Sequence, residues 1–255
     1  MKQPACLVSL VCLGLLALLG LLDSTRLDGA PPNRLVRPGA EESAAPLGAP
    51  ATPADDAMAR AAAALENGQP ERAAALLEQH VARHPEEILV RAQLAELLYR
   101  LKQGDKAKLH FELFIALGQE HGDLAFRYLI HSHSRLVALA EEDDNEYSEH
   151  LHRGIGLYLL GCRRTEETVG PGELTAEALF CRAASELQKA RAERPDEARP
   201  CLYLYSAWQR LGQGSAAAAA LRQADPPATL SFLTPCERRQ LLQACLTQPR
   251  LKPRW

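Results

Sequence analysis

The sequence predicts an all-α protein: an α-solenoid of about four antiparallel helical pairs with an extra central helix and a C-terminal capping helix, preceded by one transmembrane helix. Three observations carry this. Of the 255 residues, 47% are hydrophobic but only 5% aromatic, and alanine comes in runs such as Ala61–Ala64 and Ala216–Ala220. That composition suits close helix packing and opposes a β-sandwich, which needs β-branched and aromatic strands. Landmark residues recur at a spacing of 34, and an apolar run opens the chain. The 24% charged content is balanced to a net charge of −3, so the chain lacks the basic footprint of a nucleic-acid binder.

The apolar run defines a first segment, 1–27. Lys2 precedes an uncharged stretch, 3–22, whose apolar-plus-small part is 5–22. As a helix that part is about 27 Å long, close to the hydrocarbon thickness of a bilayer. No A-x-A-like cleavage triplet follows it, so an uncleaved signal-anchor is expected. The short basic N-region favours export of the rest to the periplasmic side, although Arg26, Arg34 and Arg37 oppose that by the positive-inside rule. Segment 28–53 carries six prolines among Gly, Ala and Glu, and reads as an extended tether.

Helical patterning takes over from residue 54. In 54–121, Ala61 and Ala95, Ala73 and Ala107, and Leu77 and Phe111 are each 34 residues apart. Gly68 stands where a left-handed residue closes a first helix, and Pro85 follows a second one. Within 175–228, Leu204…Trp208…Gly212…Ala217…Leu221…Ala224 repeats the scheme, and Ala183…Leu187…Ala190…Pro195 repeats its second half. These residues resemble the tetratricopeptide repeat family, whose period is 34. The long uncharged start adds a likeness to membrane-anchored, bacterial-type members. The departures are Ala57 and Ala64 in place of an aromatic, His80 and Phe114 in place of small residues, and Tyr205 where Gly or Ala is usual.

The middle, 122–174, diverges. A helix with its own apolar stripe is expected at Asp123–Glu142 and another over 145–162. Second-helix signatures at 107–111 and 183–187 leave two helices where alternation needs one, so Asp123–Glu142 is expected as the extra helix. The loop 163–174, with Gly170-Pro171-Gly172, is expected as an insertion. Thr234-Pro235-Cys236-Glu237 is a capping box with Pro at the first helical position. It starts a helix in 229–249 whose face of Cys236, Leu241, Leu242 and Cys245 should cover the last repeat. The basic tail 250–255 is expected to be disordered.

No catalytic, cofactor or metal set is expected. On a helix, the two histidines of His131-Ser132-His133 or His150-Leu151-His152 point about 200° apart and cannot share one ion. His133 lies on an apolar stripe and reads as a hydrogen-bonded core residue; a cluster of His133 with His152 or His150 is the metal-dependent or enzymatic alternative. The acidic run 141–146 lacks the spacing and the central Gly of a calcium loop, and reads as a turn with an N-cap at Asp144 or Asn145. Gly154-Ile155-Gly156 lacks the third glycine of a dinucleotide fingerprint and reads as close packing. Cys162, Cys181, Cys201, Cys236 and Cys245 match no zinc or C-x-x-C spacing and read as small buried hydrophobes.

The family resemblance implies a membrane-tethered scaffold that binds a protein or peptide in a concave groove made by the first helix of each pair. It places Leu89, Ala92, Glu96, Tyr99 and Arg100 there, and later Arg199, Leu202, Ser206, Gln209 and Arg210. Arg100, Arg199 and Arg210 would favour an acidic partner. A structural role in envelope assembly or oligomerisation is a further alternative.

Overall fold

The structure, a computed structural model, describes residues 53–120, 123–165, 174–224 and 233–247. The apolar run 5–22, the tether, Gly170-Pro171-Gly172 and the basic tail lie outside the described residues. Among the described residues no helix is long and apolar enough to cross a membrane.

Ten helices and no strand occur among the described residues. They are α1 (Pro53–Glu66), α2 (Pro70–Arg83), α3 (Ile88–Arg100), α4 (Gly104–Gly118), α5 (Asp123–Glu142), α6 (Glu146–Arg164), α7 (Ala176–Glu193), α8 (Ala198–Arg210), α9 (Gly214–Gln223) and α10 (Pro235–Thr247). The chain forms two compact units, Met1–Lys102 and Gln103–Trp255. In the first, α1 packs on α2 and α2 on α3. In the second, each helix from α4 to α9 packs on the next, and α10 lies on α8 and α9.

Two kinds of turn organise this succession. After α1, α3, α5 and α8 a single left-handed residue ends the helix: Gly68 (φ 67°), Lys102 (φ 58°), Asp144 (φ 52°) and Gly212 (φ 70°). The next helix then starts from Gln69, Gln103, Asn145 or Gln213, all with φ near −100° and ψ between 62° and 82°. Glycine takes this conformation without steric cost. Asp tolerates it, and at Lys102 the helix-capping bonds must hold a residue without that freedom. Asn145 adds a cap of its own, its side chain accepting from the Ser148 N–H at 3.1 Å.

The second kind is a proline turn. His84-Pro85-Glu86-Glu87 leads from α2 to α3, and Arg194-Pro195-Asp196-Glu197 leads from α7 to α8. Each closes with a bond of 3.2 Å from the last glutamate N–H to the first residue's carbonyl. By these turns α5 and α6 form a regular pair, although Asp123–Glu142 was the expected extra helix. The irregular element is instead α7, which follows α6 with no pair partner before it and leaves through a proline turn, as α2 does. The turn itself was expected from the acidic run 141–146, with Asn145 as its cap, but without glycine at position 144 it does not read as a repeat turn.

The small residues expected at helix crossings are fully enclosed: Ala61, Ala73, Ala95, Ala107 and Ala217 have no exposed surface. Leu77, Phe111, Leu187 and Leu221 are buried beside them. Gly154 and Gly161 let α6 and α7 approach most closely. A β-carbon at Gly154 would stand 2.6 Å from Leu187 Cγ, and one at Gly161 2.7 Å from the Phe180 ring, whereas at Gly156 it would make an ordinary contact of 3.6 Å with His133. The cysteines depart from expectation. Cys201 is buried, but Cys181 is exposed and the other three are half-buried.

Candidate functional site

The second unit contains a cavity of about 500 Å³ bounded by α4, α5, α6, α8 and α10. Its volume falls in the range of small-ligand and peptide side-chain sites. Each wall comes from a different sequence signal.

The wall formed by α10 starts at the capping box. The Glu237 N–H donates to Thr234 Oγ1 at 3.1 Å, and the Thr234 N–H donates to Glu237 Oε2 at 2.9 Å. The box then reaches beyond its own helix. Arg199 Nε of α8 donates to Glu237 Oε2 at 3.0 Å, and the Tyr203 hydroxyl donates to Oε1 at 3.2 Å. Gln119, just past α4, donates from Nε2 to the Tyr203 oxygen at 3.2 Å and accepts from Thr234 Oγ1 at 2.5 Å. Outside this ring Arg239 binds Glu120 at 2.5 Å. Segments 115 residues and more apart in sequence are thus joined by one partly buried polar circuit with an exposed rim. Burial, together with the Glu237 charge, raises the Tyr203 hydroxyl well above its ordinary value, so it remains a proton donor.

The remaining apolar face of α10 covers α8 and α9 through Leu241 and Ala244, which pack with Leu202, Leu221, Ala224 and Leu233, Cys245 lying at the edge. Leu242, expected on that face, is 39% exposed, and Cys236 is turned toward the Gln119 carbonyl. The capping box at Thr234 sets the rotation of the helix and puts Glu237, Leu241 and Ala244 inward.

The floor is a buried imidazole pair. His133 of α5 and His152 of α6 face each other with Nδ1 atoms 3.0 Å apart. The two are 2% and 6% exposed, and both line the cavity. Burial, aided by the nearby Arg199 charge, pushes His133 down to about 3. Burial and the neighbouring His133 and Arg199 push His152 well below its ordinary value. Both rings are therefore neutral, and one donates to the other. His150 leaves this group: its Nδ1 meets Glu186 Oε2 of α7 at 2.8 Å.

A pH dependence follows. An unfolded imidazole takes up a proton near pH ~6.5, while folded His133 resists protonation down to about 3. Between those values the unfolded chain binds more protons, so stability falls as the pH falls through the window and is unaffected by this pair above it. Melting temperatures followed across that window should drop more steeply for the parent than for His133→Asn. Equal slopes would show that the pair does not titrate as described.

The α4 wall supplies what a partner can touch. The core face of α4 is Ala107, Phe111, Phe114 and Ile115, yet Leu109 and Leu113 are 54% and 39% exposed and line the cavity. Beside them, Lys108 takes part in no ion pair among the described residues. The other cations are engaged: Arg199 with Glu237 at 3.0 Å, and Arg194 with Glu197 at 3.8 Å while stacking over Tyr147 at 4.4 Å. The cavity thus offers an ammonium group next to an aliphatic surface.

Of the residues expected in a groove, Arg199 lines this cavity. Leu202 is buried in the α10 core, and Ala92 and Glu96 are buried in the first unit, so all three are out of a partner's reach. Leu89 and Tyr99 are half-buried, while Gln209 and Arg210 are exposed. Ser206 donates to the Leu202 carbonyl at 3.1 Å. Arg100 pairs with Glu96 at 3.2 Å. Two of the three arginines expected to draw an acidic partner, Arg100 and Arg199, therefore already have carboxylate partners within the protein. Lys108, Leu109 and Leu113, which line the cavity, were not among the residues expected in a groove, and Glu237 was expected only as part of a cap. The i, i+4 leucines off the core face of α4 were the legible signal.

Short antiparallel helices, joined by left-handed turns and proline turns around enclosed alanines, define a helical-repeat protein. Residues 64–121 match the family described as tetratricopeptide repeat. Such repeats are scaffolds for protein–protein interaction. No curated protein and no solved structure matches the chain.

Proposed function

We propose that this protein is a membrane-tethered scaffold that acts by binding a protein partner, without catalysis of its own, in the cavity of its second unit. The observation that carries the reading is the pairing of Lys108 with exposed Leu109 and Leu113 at the cavity wall. A segment presenting an aliphatic side chain beside a carboxylate complements that surface. The apolar run 5–22 supports insertion in a bilayer, and the proline-rich 28–53 supports a tether that holds the helical units away from it.

A photo-crosslinking residue in place of Leu113 in the full-length protein tests the binding surface in intact cells. A discrete adduct that Lys108→Glu abolishes is expected. The absence of an adduct, or an adduct indifferent to Lys108→Glu, overturns the reading. Alkaline extraction tests the anchor: the protein should stay with the membrane, and release into the supernatant refutes the tether.

A further inference from the structure

We propose that the turn between α2 and α3 is a zinc site, formed by His80, His84, Glu86 and Glu87. His80 and His84 are four residues apart at the end of one helix, which puts both imidazoles on one side. Their rings stack with centroids 4.7 Å apart. His80 Nε2 is 2.9 Å from Glu87 Oε2, and His84 Nδ1 is 3.7 Å from Glu86 Oε1. One ligand atom each from His84, Glu86 and Glu87 falls within 4.8 Å of the others. Four ligands at about 2.0 Å from a tetrahedral zinc ion lie about 3.3 Å from one another. His84, Glu86 and Glu87 thus need only small side-chain rotations to close on an ion. His80, now hydrogen-bonded to Glu87 and stacked on His84, must turn toward it to complete the set. Two imidazoles and two carboxylates suit zinc better than the hard, oxygen-seeking calcium or magnesium.

The fold does not demand these histidines, and the protein carries its own comparison. The turn Arg194-Pro195-Asp196-Glu197 has the same shape. Its first residue has φ −134° and ψ 83°, against φ −129° and ψ 69° at His84. In the second turn Ala190 stands where His80 stands in the first, and Arg194 where His84 stands; the prolines and the final glutamates coincide. There Arg194 pairs with Glu197, and the turn closes without any imidazole. A hydrogen bond from His80 to Glu87 is thus dispensable for the turn. Two histidines added to an acidic proline turn supply what a transition metal requires. Access is available: His80 is 6% exposed at its side chain, but His84 and Glu86 are 32% and 71% exposed. A bound ion would tie the end of α2 to the start of α3 and stiffen that junction of the first unit.

Zinc binding to the metal-stripped, full-length protein in detergent, measured by equilibrium dialysis and by thermal melts with and without zinc, tests the site. The double variant His80→Ala/His84→Arg installs the residues that the second turn already carries, so it should fold. The parent is expected to bind one more equivalent of zinc than this variant, and to gain melting temperature with zinc where the variant gains none. His84→Gln, at a half-exposed position, should lose the same equivalent and serves if the double variant folds poorly. Equal zinc binding by the parent and either folded variant overturns the proposal, as does a parent that melts identically with and without zinc.

Discussion

Glu237→Ala should cost the second unit about 3–5 kcal/mol, the range for breaking a buried ion pair by removing one partner. Glu237 is 2% exposed and accepts from Arg199, from Tyr203 and from the Thr234 backbone. Truncation leaves the Arg199 guanidinium largely enclosed with no counter-charge, deprives the Tyr203 hydroxyl proton of its acceptor and removes half of a capping box. Glu237→Gln keeps the shape and part of the hydrogen bonding, so it should cost less. Removing both charges, as in Arg199→Met/Glu237→Gln, should cost less than the sum of the two single changes, because no lone charge then remains buried. Denaturant melts of the four proteins check this. Additive losses would mean that Arg199 and Glu237 do not act as a pair. Because this circuit joins α10 to the end of α4, the variant should also expose the cavity to hydrogen exchange before the rest of the unit opens.

The second large effect belongs to the α6–α7 seam. Gly154→Ala should destabilise the protein by about 2 kcal/mol and Gly161→Ala by a similar amount, the scale of overpacking in a well-packed core. Alanine in a helix interior normally gains about 1 kcal/mol over glycine, so the clash has to outweigh a favourable term. It does so because the new methyl would lie 2.6 Å from Leu187 Cγ and 3.2 Å from its backbone nitrogen, and the backbone cannot rotate away. At Gly161 the obstacle is the Phe180 ring, held at 2% exposure. Gly156→Ala is the control. Its methyl would make a 3.6 Å contact, so the helix gain should prevail and the melting temperature should hold or rise. If all three variants melt alike, the close approach of α6 and α7 is not what the glycines serve.

The local features were legible in the sequence because they arise from short-range physics. Gly68 and Gly212 announced their left-handed turns, since other residues adopt that conformation at a cost. Pro85 and Pro195 marked the turns into α3 and α8, and the 34-residue spacing of Ala73 and Ala107 marked enclosed crossings. Thr234 and Glu237 announced a capping box that the structure closes in both directions. A turn was expected around Asp144, but the left-handed conformations of Lys102 and Asp144 went unread because residues with no strong preference for them hold them there. That silence is also why α5 looked like the odd helix and α7 did not.

By itself the sequence determined the helical class, the repeat spacing, the capping of α10 and the small residues at its crossings, all set within a few turns of chain. Only the tertiary structure decided which charges meet. Glu237, a local cap by its spacing, became the counter-ion of Arg199 and the acceptor for Tyr203 because the helices bring α4, α8 and α10 to one point. His133 found His152 rather than His150, because the α5–α6 pairing put their rings together in a buried place. Leu109 and Leu113 were left at a cavity wall because the core of α4 was already filled by Phe111 and Phe114. Pairings over such separations depend on the summed geometry of every helix between them, and no spacing along the chain records that sum.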